Sequence, residues 1–493
     1  MEIFGNEISK KDYKKAVKGQ KKFIKKFGDD RTTEYPLALA DNPVITGPLG
    51  VKNIIISDEN SGKKELEMPE KPIIIGNIRM GFGHYRISMA MASAAHSLGY
   101  TPLWLDLNSF PQTTCTKIIS YQNDLYSLGS RLSQKISLFN KLVWEPLNYE
   151  GFKKLSYNAG DQKNAELMTP IFHQIPKDTP LIATHVWPAQ AAIHAGMKNV
   201  VNAIPDNWPM ALHLAQGSLH TVQTYNAYFG YRSLHGFVDG KILNPIPANQ
   251  ILYTGHYIDD EMVRNIEEDC GKRIDRATNG KPLRFLLTIG GAGAQGEFFA
   301  KIIKALLPYV NQKKATIYVN CGDYQNVWEN MKNIIPQLAD QSLCHTHFDD
   351  WDQEVLFANK AISGDDDFSS TGIHAFCNKD IFAAVYITNL LIRASDILVT
   401  KPSELAFYPV PKLFIKRVGG HEMWGAIHSA EIGDGTQECE SPEYACAMLE
   451  MILQDPNVIC GMCNSIIRNK KDGIYDGAYN AVKAAVGMGK ADV

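Results

Sequence analysis

The chain has 493 residues, 45% of them hydrophobic, which is too long for one ordinary core and too apolar for global disorder, so two substantial domains are expected. A net charge of −3 excludes the domain-wide basic field of a general nucleic-acid binder and leaves room only for a local basic surface. Nine scattered cysteines, including a lone Cys460-Gly-Met-Cys463 with no second pair, no signal-peptide stretch and no apolar run of membrane-spanning length point to a reduced, cytoplasmic protein without a metal site.

Residues 1–70 read as an N-terminal extension and linker. Lys10, Lys11, Lys14, Lys15, Lys18, Lys21, Lys22, Lys25 and Lys26 surround a narrow stripe of Tyr13, Val17, Ile24 and Phe27, the pattern of a basic amphipathic helix weakened by Gly19. Two readings stay open: peripheral contact with an anionic membrane, or docking of the stripe on the protein with the lysines solvated, the second being favoured. Residues 42–70 are rich in proline and glycine and leave room for one short strand over 51–57.

Residues 71–275 alternate strand and helix signals, as an open parallel sheet does. The first unit is the most informative. Ile73-Ile74-Ile75 suits a strand covered on both faces, Gly81-Phe82-Gly83-His84 a tight turn, and Tyr85 to Leu98 a helix whose start would favour an anion. Further strands are expected at 101–107, 180–184, 200–204 and 219–224, with Asp106, His185 and Asp206 at strand ends. The aromatic, leucine-spaced stretch over about 109–158 is an insertion after the second strand, serving either plain packing or as an acceptor or membrane-facing subdomain.

Residues 276–460 repeat the design. Leu283 to Ile289 is a strand, Gly290 to Gly296 a turn, and Phe298 to Val310 a helix. An acidic region over 349–367 reads as irregular and solvated, a helix is expected at 387–395, a strand at 396–400, a short helix at 403–408, a strand at 412–416 and a turn at Gly419-Gly420-His421-Glu422. Residues 461–493 are expected to be helical and to pack back across the domains. Gly291-Ala-Gly293-Ala-Gln-Gly296 matches a dinucleotide-binding turn, but Asn320-Cys321 ends the next strand where a ribose-binding acid should stand, which disfavours a nicotinamide-dependent oxidoreductase.

The two halves, with GFGH opening the first, IGGAGAQG the second and ASDILVTKPSELAFYPVPKLFIKRVGGHEMWG near the end, resemble the GT-B glycosyltransferase fold, in which two Rossmann-like domains face a cleft. Within it the likeness is to monogalactosyldiacylglycerol synthases and the related N-acetylglucosaminyltransferase of peptidoglycan lipid assembly. That resemblance implies a metal-independent, inverting hexosyltransferase with a nucleotide-sugar donor, a UDP-sugar by family likeness, no other cofactor, and an acceptor hydroxyl for which a lipid is the leading class. It places Gly81, Gly83 and His84 at the acceptor, His84 as general base, with Asp206 orienting either that base or the acceptor. It places Gly290, Gly291 and Gly293 on the donor diphosphate and Glu404 on the ribose, and matches His421 and Glu422 in part to the turn that reads the sugar.

The chain also departs from the family pattern. Lys401-Pro402-Ser403-Glu404 replaces a glycine-rich loop, so Lys401 is either a cation for the diphosphate or a solvated loop charge. His421 stands where a glutamine is usual and leaves the sugar open. A sugar-nucleotide 2-epimerase of the same fold and a non-catalytic binding protein remain the alternatives.

Overall fold

The computed structural model describes all residues except 58–65, 136–140, 142, 144–145, 291–294, 365–367 and 488–493. The described chain divides into two compact units, residues 1–259 with 419–421 and 476–493, and residues 260–418 with 422–475. Each is built on one parallel sheet, as the expected α/β class requires.

In the first unit, helix α1 (Lys10–Phe27) precedes strands β1 (Leu37–Asp41) and β2 (Lys52–Ile56). Then follow β3 (Pro72–Asn77), α2 (Gly83–Ser97), β4 (Thr101–Asp106), α3 (Thr114–Lys135), α4 (Leu155–Ala165), β5 (Leu181–Ala183), α5 (Val186–His194), β6 (Val200–Ala203), β7 (Leu219–Val222), α6 (Tyr225–Ser233) and β8 (Ile251–Tyr253). The strand order is β8-β7-β6-β5-β3-β4-β2-β1, parallel except for β1 against β2. Because β1 and β2 extend this sheet, the first 70 residues are not a separate extension. The isoleucine run falls in β3, between β4 and β5, where Ile73, Ile74 and Ile75 are fully buried. Each such side chain contributes roughly 1.5–3 kcal/mol.

In the second unit, α7 (Asp260–Thr278), β9 (Leu283–Thr288), α8 (Gly296–Asn311), β10 (Ala315–Asn320), α9 (Gln325–Ile334), β11 (Cys344–Phe348), α10 (Trp351–Ser363), β12 (Ile373–Cys377), α11 (Ile381–Ala394), β13 (Ile397–Thr400), β14 (Lys412–Ile415), α12 (Met423–Glu431), β15 (Gly435–Cys439), α13 (Pro442–Gln454) and α14 (Pro456–Lys471) follow in order. The sheet runs β11-β12-β10-β9-β13-β14-β15, all parallel. The acidic region expected to be irregular holds α10, because Asp350 caps it by accepting from the Gln353 N–H and Glu354 is buried against Asn378, 2.8 Å away; Asp365, Asp366 and Asp367 lie outside the described residues. The helix expected at 387–395 starts earlier, at Ile381, where Asp380 accepts from the N–H groups of Phe382 and Ala383.

Two buried ion pairs of this unit lie at the N-terminal ends of its strands. Arg276 meets Asp396 at 2.8 Å just before β13, and the fully buried Lys412 and Asp434 meet at 2.8 Å where β14 and β15 begin. They close the sheet away from the edge where ligands of such folds bind. The chain ends with α15 (Gly477–Ala485), which packs on α2 in the first unit.

Candidate functional site

An open parallel sheet has a crevice where consecutive connections leave one strand in opposite directions. In the first sheet that point lies between β3, which is followed by the β4 side, and β5, which begins the other half. His84 stands there, at the second position of α2. Gly81 makes the turn with φ +73°, a left-handed conformation that favours glycine, and Gly83 opens the helix.

The His84 ring nitrogen Nδ1 lies 2.7 Å from the carbonyl oxygen of Thr184, the residue after β5. A carbonyl only accepts, so Nδ1 carries the proton and Nε2 is the basic nitrogen. The Thr184 hydroxyl bonds the Ser88 hydroxyl at 2.8 Å, tying the β5 end to α2. His185 follows, buried, its ring edge-on to His84 at 4.8 Å between centroids. Its Nδ1 accepts from the Trp187 N–H and caps α5, while burial, and then the neighbouring His84 and His213, hold its pKa well below the usual histidine value. It stays neutral, which keeps a second charge away from His84.

Asp206, after β6, accepts a 2.9 Å hydrogen bond from His213 Nε2. Burial pushes its carboxyl up, but the His213 bond and the nearby imidazoles, His84 among them, outweigh this and hold it below the usual carboxylate range. At the end of β4, Tyr85 donates to Asp106 at 2.5 Å. At the end of β3, the fully buried Asn77 has neither side-chain polar atom hydrogen-bonded among the described residues.

The loop after Asp206 continues into the wall of a cavity of about 410 Å³, lined by Lys153, Trp208, Pro209, Tyr225, Phe229 and His235. Tyr225 and Phe229 are largely exposed, and the Lys153 ammonium lies 4.5 Å from the Trp208 ring centre. The cavity joins flat apolar faces to a cation, so it suits a ligand with an apolar portion beside polar or anionic groups.

The second sheet has its own switch point, between β9 and β13. Gly290 follows β9 and Lys401 follows β13; a Cβ on Gly290 would stand 2.9 Å from the Lys401 Cε. Lys401 is ion-paired with Glu422, whose second oxygen accepts from the Val418 N–H at 2.8 Å. Lys401 is therefore no solvated loop charge: it is held at the strand end by a carboxylate. Ser403 turns the chain, its N–H donating to the Lys401 carbonyl at 2.8 Å, and half-buried Glu404 opens the short 3-10 turn Glu404–Phe407. Gln295 in left-handed conformation precedes α8, whose N-terminus adds the partial positive charge that favours phosphate. Gly291 and Gly293 lie outside the described residues. His421 sits in the turn Gly420–Glu422, in the first unit, its buried Nδ1 without a hydrogen bond among the described residues. Among the described residues no group of three or more His, Cys, Asp or Glu is placed to hold a metal, and no helix is long and apolar enough to cross a membrane.

Residues 2–233 match the family model of one domain of unknown function, DUF6937, and residues 246–486 that of another, DUF6938. The first match covers all of the first sheet but β8, and the second covers β8 and the whole second sheet. No curated protein matches. Solved structures similar to the chain include a UDP-GlcNAc 2-epimerase from Neisseria meningitidis bound to UDP-GlcNAc (12% identity, 85% of this chain and 99% of that one, TM-score 0.42). A trehalose-6-phosphate structure from E. coli bound with UDP-2-fluoro glucose (10%, 86% and 99%, 0.43) and a glycosyltransferase from Rickettsia africae (12%, 85% and 97%, 0.40) are similar in the same degree.

Neither Thr184 nor His213 is among the residues the sequence pattern singles out. Thr184 acts through its backbone, which no residue type announces; the nearest signal was its place at the end of a strand, one residue before His185.

Proposed function

We propose that the protein transfers a sugar from a nucleotide-sugar donor, a UDP-sugar, to an acceptor hydroxyl, with inversion and without a metal. The observation that carries this reading is the His84 to Thr184 bond at the switch point of the first sheet. It leaves His84 Nε2 as a base fixed in direction, able to take the proton of a hydroxyl as that oxygen attacks the anomeric carbon. Asp206, held as a carboxylate, stabilises the imidazolium that forms. In the second unit, Gly290, Lys401 and the start of α8 supply a close backbone, a cation and helix amides for the leaving diphosphate, and Glu404 is the acceptor for ribose hydroxyls. The aromatic cavity beside the Asp206 loop supports an acceptor with an apolar portion, in keeping with the lipid class that the family resemblance implies.

The test is an NMR-monitored reaction of UDP-sugars with hydroxyl acceptors carrying short alkyl chains. A β-glycoside made from an α-linked donor is the expected product. A donor epimerised at C2 with no acceptor consumed, or no reaction with any pair, would overturn the reading.

A further inference from the structure

Helix α1 is divided lengthwise into two faces. At 100° per residue, Tyr13, Ala16, Val17, Gln20, Phe23, Ile24 and Phe27 fall on one side, and all nine lysines fall within an arc of about 160° on the other. The first side is docked. Phe23, Ile24 and Phe27 pack on the core of the first unit, and Gln20 fixes the roll of the helix by donating to the Lys163 carbonyl at 2.6 Å and to Glu166 at 2.8 Å. The lysines are all exposed, and among the described residues none of them is paired with a carboxylate. The remainder of the chain is acidic, since these nine lysines face one aspartate in the helix while the whole chain carries a net charge of −3.

A second feature adjoins this face. Phe23 and Phe27 rest against Tyr121 of α3, and Lys26 covers its ring at 3.4 Å. One and two turns further along the same stripe of α3, Leu125 and Leu128 are about half exposed, 51% and 49%.

We infer that the lysine face of α1, with Leu125 and Leu128 beside it, docks on an anionic phospholipid surface. The apolar side of α1 is already occupied by the protein, so the helix contributes charge alone and α3 contributes the apolar contact. Two weak signals in neighbouring elements are what reversible attachment needs, each lysine near such a surface adding about 1 kcal/mol. A nucleic acid fits less well: the row holds no arginine to fork onto phosphates or base edges.

Flotation of the full chain with vesicles tests this. Phosphatidylcholine vesicles are compared with vesicles containing one-third phosphatidylglycerol, at low and high salt, together with a short DNA duplex. Binding is expected only to the anionic vesicles and falls with salt. The combined Lys14→Gln, Lys18→Gln, Lys21→Gln and Lys25→Gln variant, which leaves the docked side intact, loses at least about a hundredfold in affinity with an unchanged circular dichroism spectrum and unchanged nucleotide binding. Leu125→Ser with Leu128→Ser weakens binding without altering its salt dependence. Equal binding to both vesicles, none to either, full binding by the lysine variant, or tighter binding to the duplex at the same salt would overturn the inference; none of these bears on the sugar-transfer reading.

Discussion

The imidazole of His84 and the backbone carbonyl of Thr184 meet at 2.7 Å across the gap between two parallel strands, β3 and β5, whose connections leave in opposite directions. One bond thereby fixes the tautomer and the aim of a base at the place where parallel sheets bind ligands. The acceptor is a main-chain atom, so the arrangement survives any substitution at position 184 that keeps the strand end in place.

The first prediction concerns that base. His84→Ala lowers the transfer rate by about 10²–10⁴, the usual range for a general base, and leaves UDP affinity within about twofold. His84→Gln behaves alike, while Thr184→Val, which keeps the carbonyl, retains most activity. Steady-state rates and calorimetry on the same preparations check both.

The donor side gives the second. In Gly290→Ala the new Cβ meets the flexible end of Lys401 at 2.9 Å, so the fold accommodates it and the lysine moves. UDP binding is expected to weaken about tenfold, as it does in Lys401→Met, with the thermal midpoint nearly unchanged. A large stability loss in Gly290→Ala would show that the glycine serves packing alone.

A pH prediction follows from Asp161. Burial pushes this α4 carboxyl up to about 7, against an ordinary value of 3.8. The folded state then holds a proton that the unfolded chain has released, so stability falls as pH rises from about 4 to about 7 and stays reduced above. Asp161→Asn removes that penalty. Urea unfolding at pH 8 is expected to show the variant more stable by roughly 2–4 kcal/mol, with the gain shrinking toward pH 4.

The docking of α15 supplies a fourth. The Gly477 N–H donates to the His256 carbonyl at 2.9 Å, and a Cβ at this position would lie 2.1 Å from the Gly255 carbonyl oxygen, a backbone atom with no room to yield. Gly477→Ala is expected to cost about 3 kcal/mol, read as a lowered urea midpoint.

The sequence revealed what depends on residue type and short spacing. Ile73 to Ile75 before Gly81 and His84 read as a covered strand and a tight turn, which the structure bears out, and the second unit repeated that text. It concealed what depends on distant partners. Leu37 to Asp41 is a short alternation amid prolines and glycines, and becomes an edge strand only because β2 lies beside it. The acids around 350 looked solvated because the partners that make them structural, Gln353 N–H and Asn378, give no charge signal. Lys401 and Glu422 are 21 positions apart, and nothing local announces their pairing.

One calorimetric titration decides whether the second unit grips a nucleotide diphosphate for a reaction based on His84. UDP, UDP-glucose, UDP-galactose, UDP-N-acetylglucosamine and NAD are titrated into wild type, His84→Ala, Lys401→Met and Glu404→Ala. The account predicts that a UDP ligand binds wild type and His84→Ala alike and binds the Lys401 and Glu404 variants at least about tenfold more weakly. Binding of NAD alone, or of no UDP ligand, would contradict it.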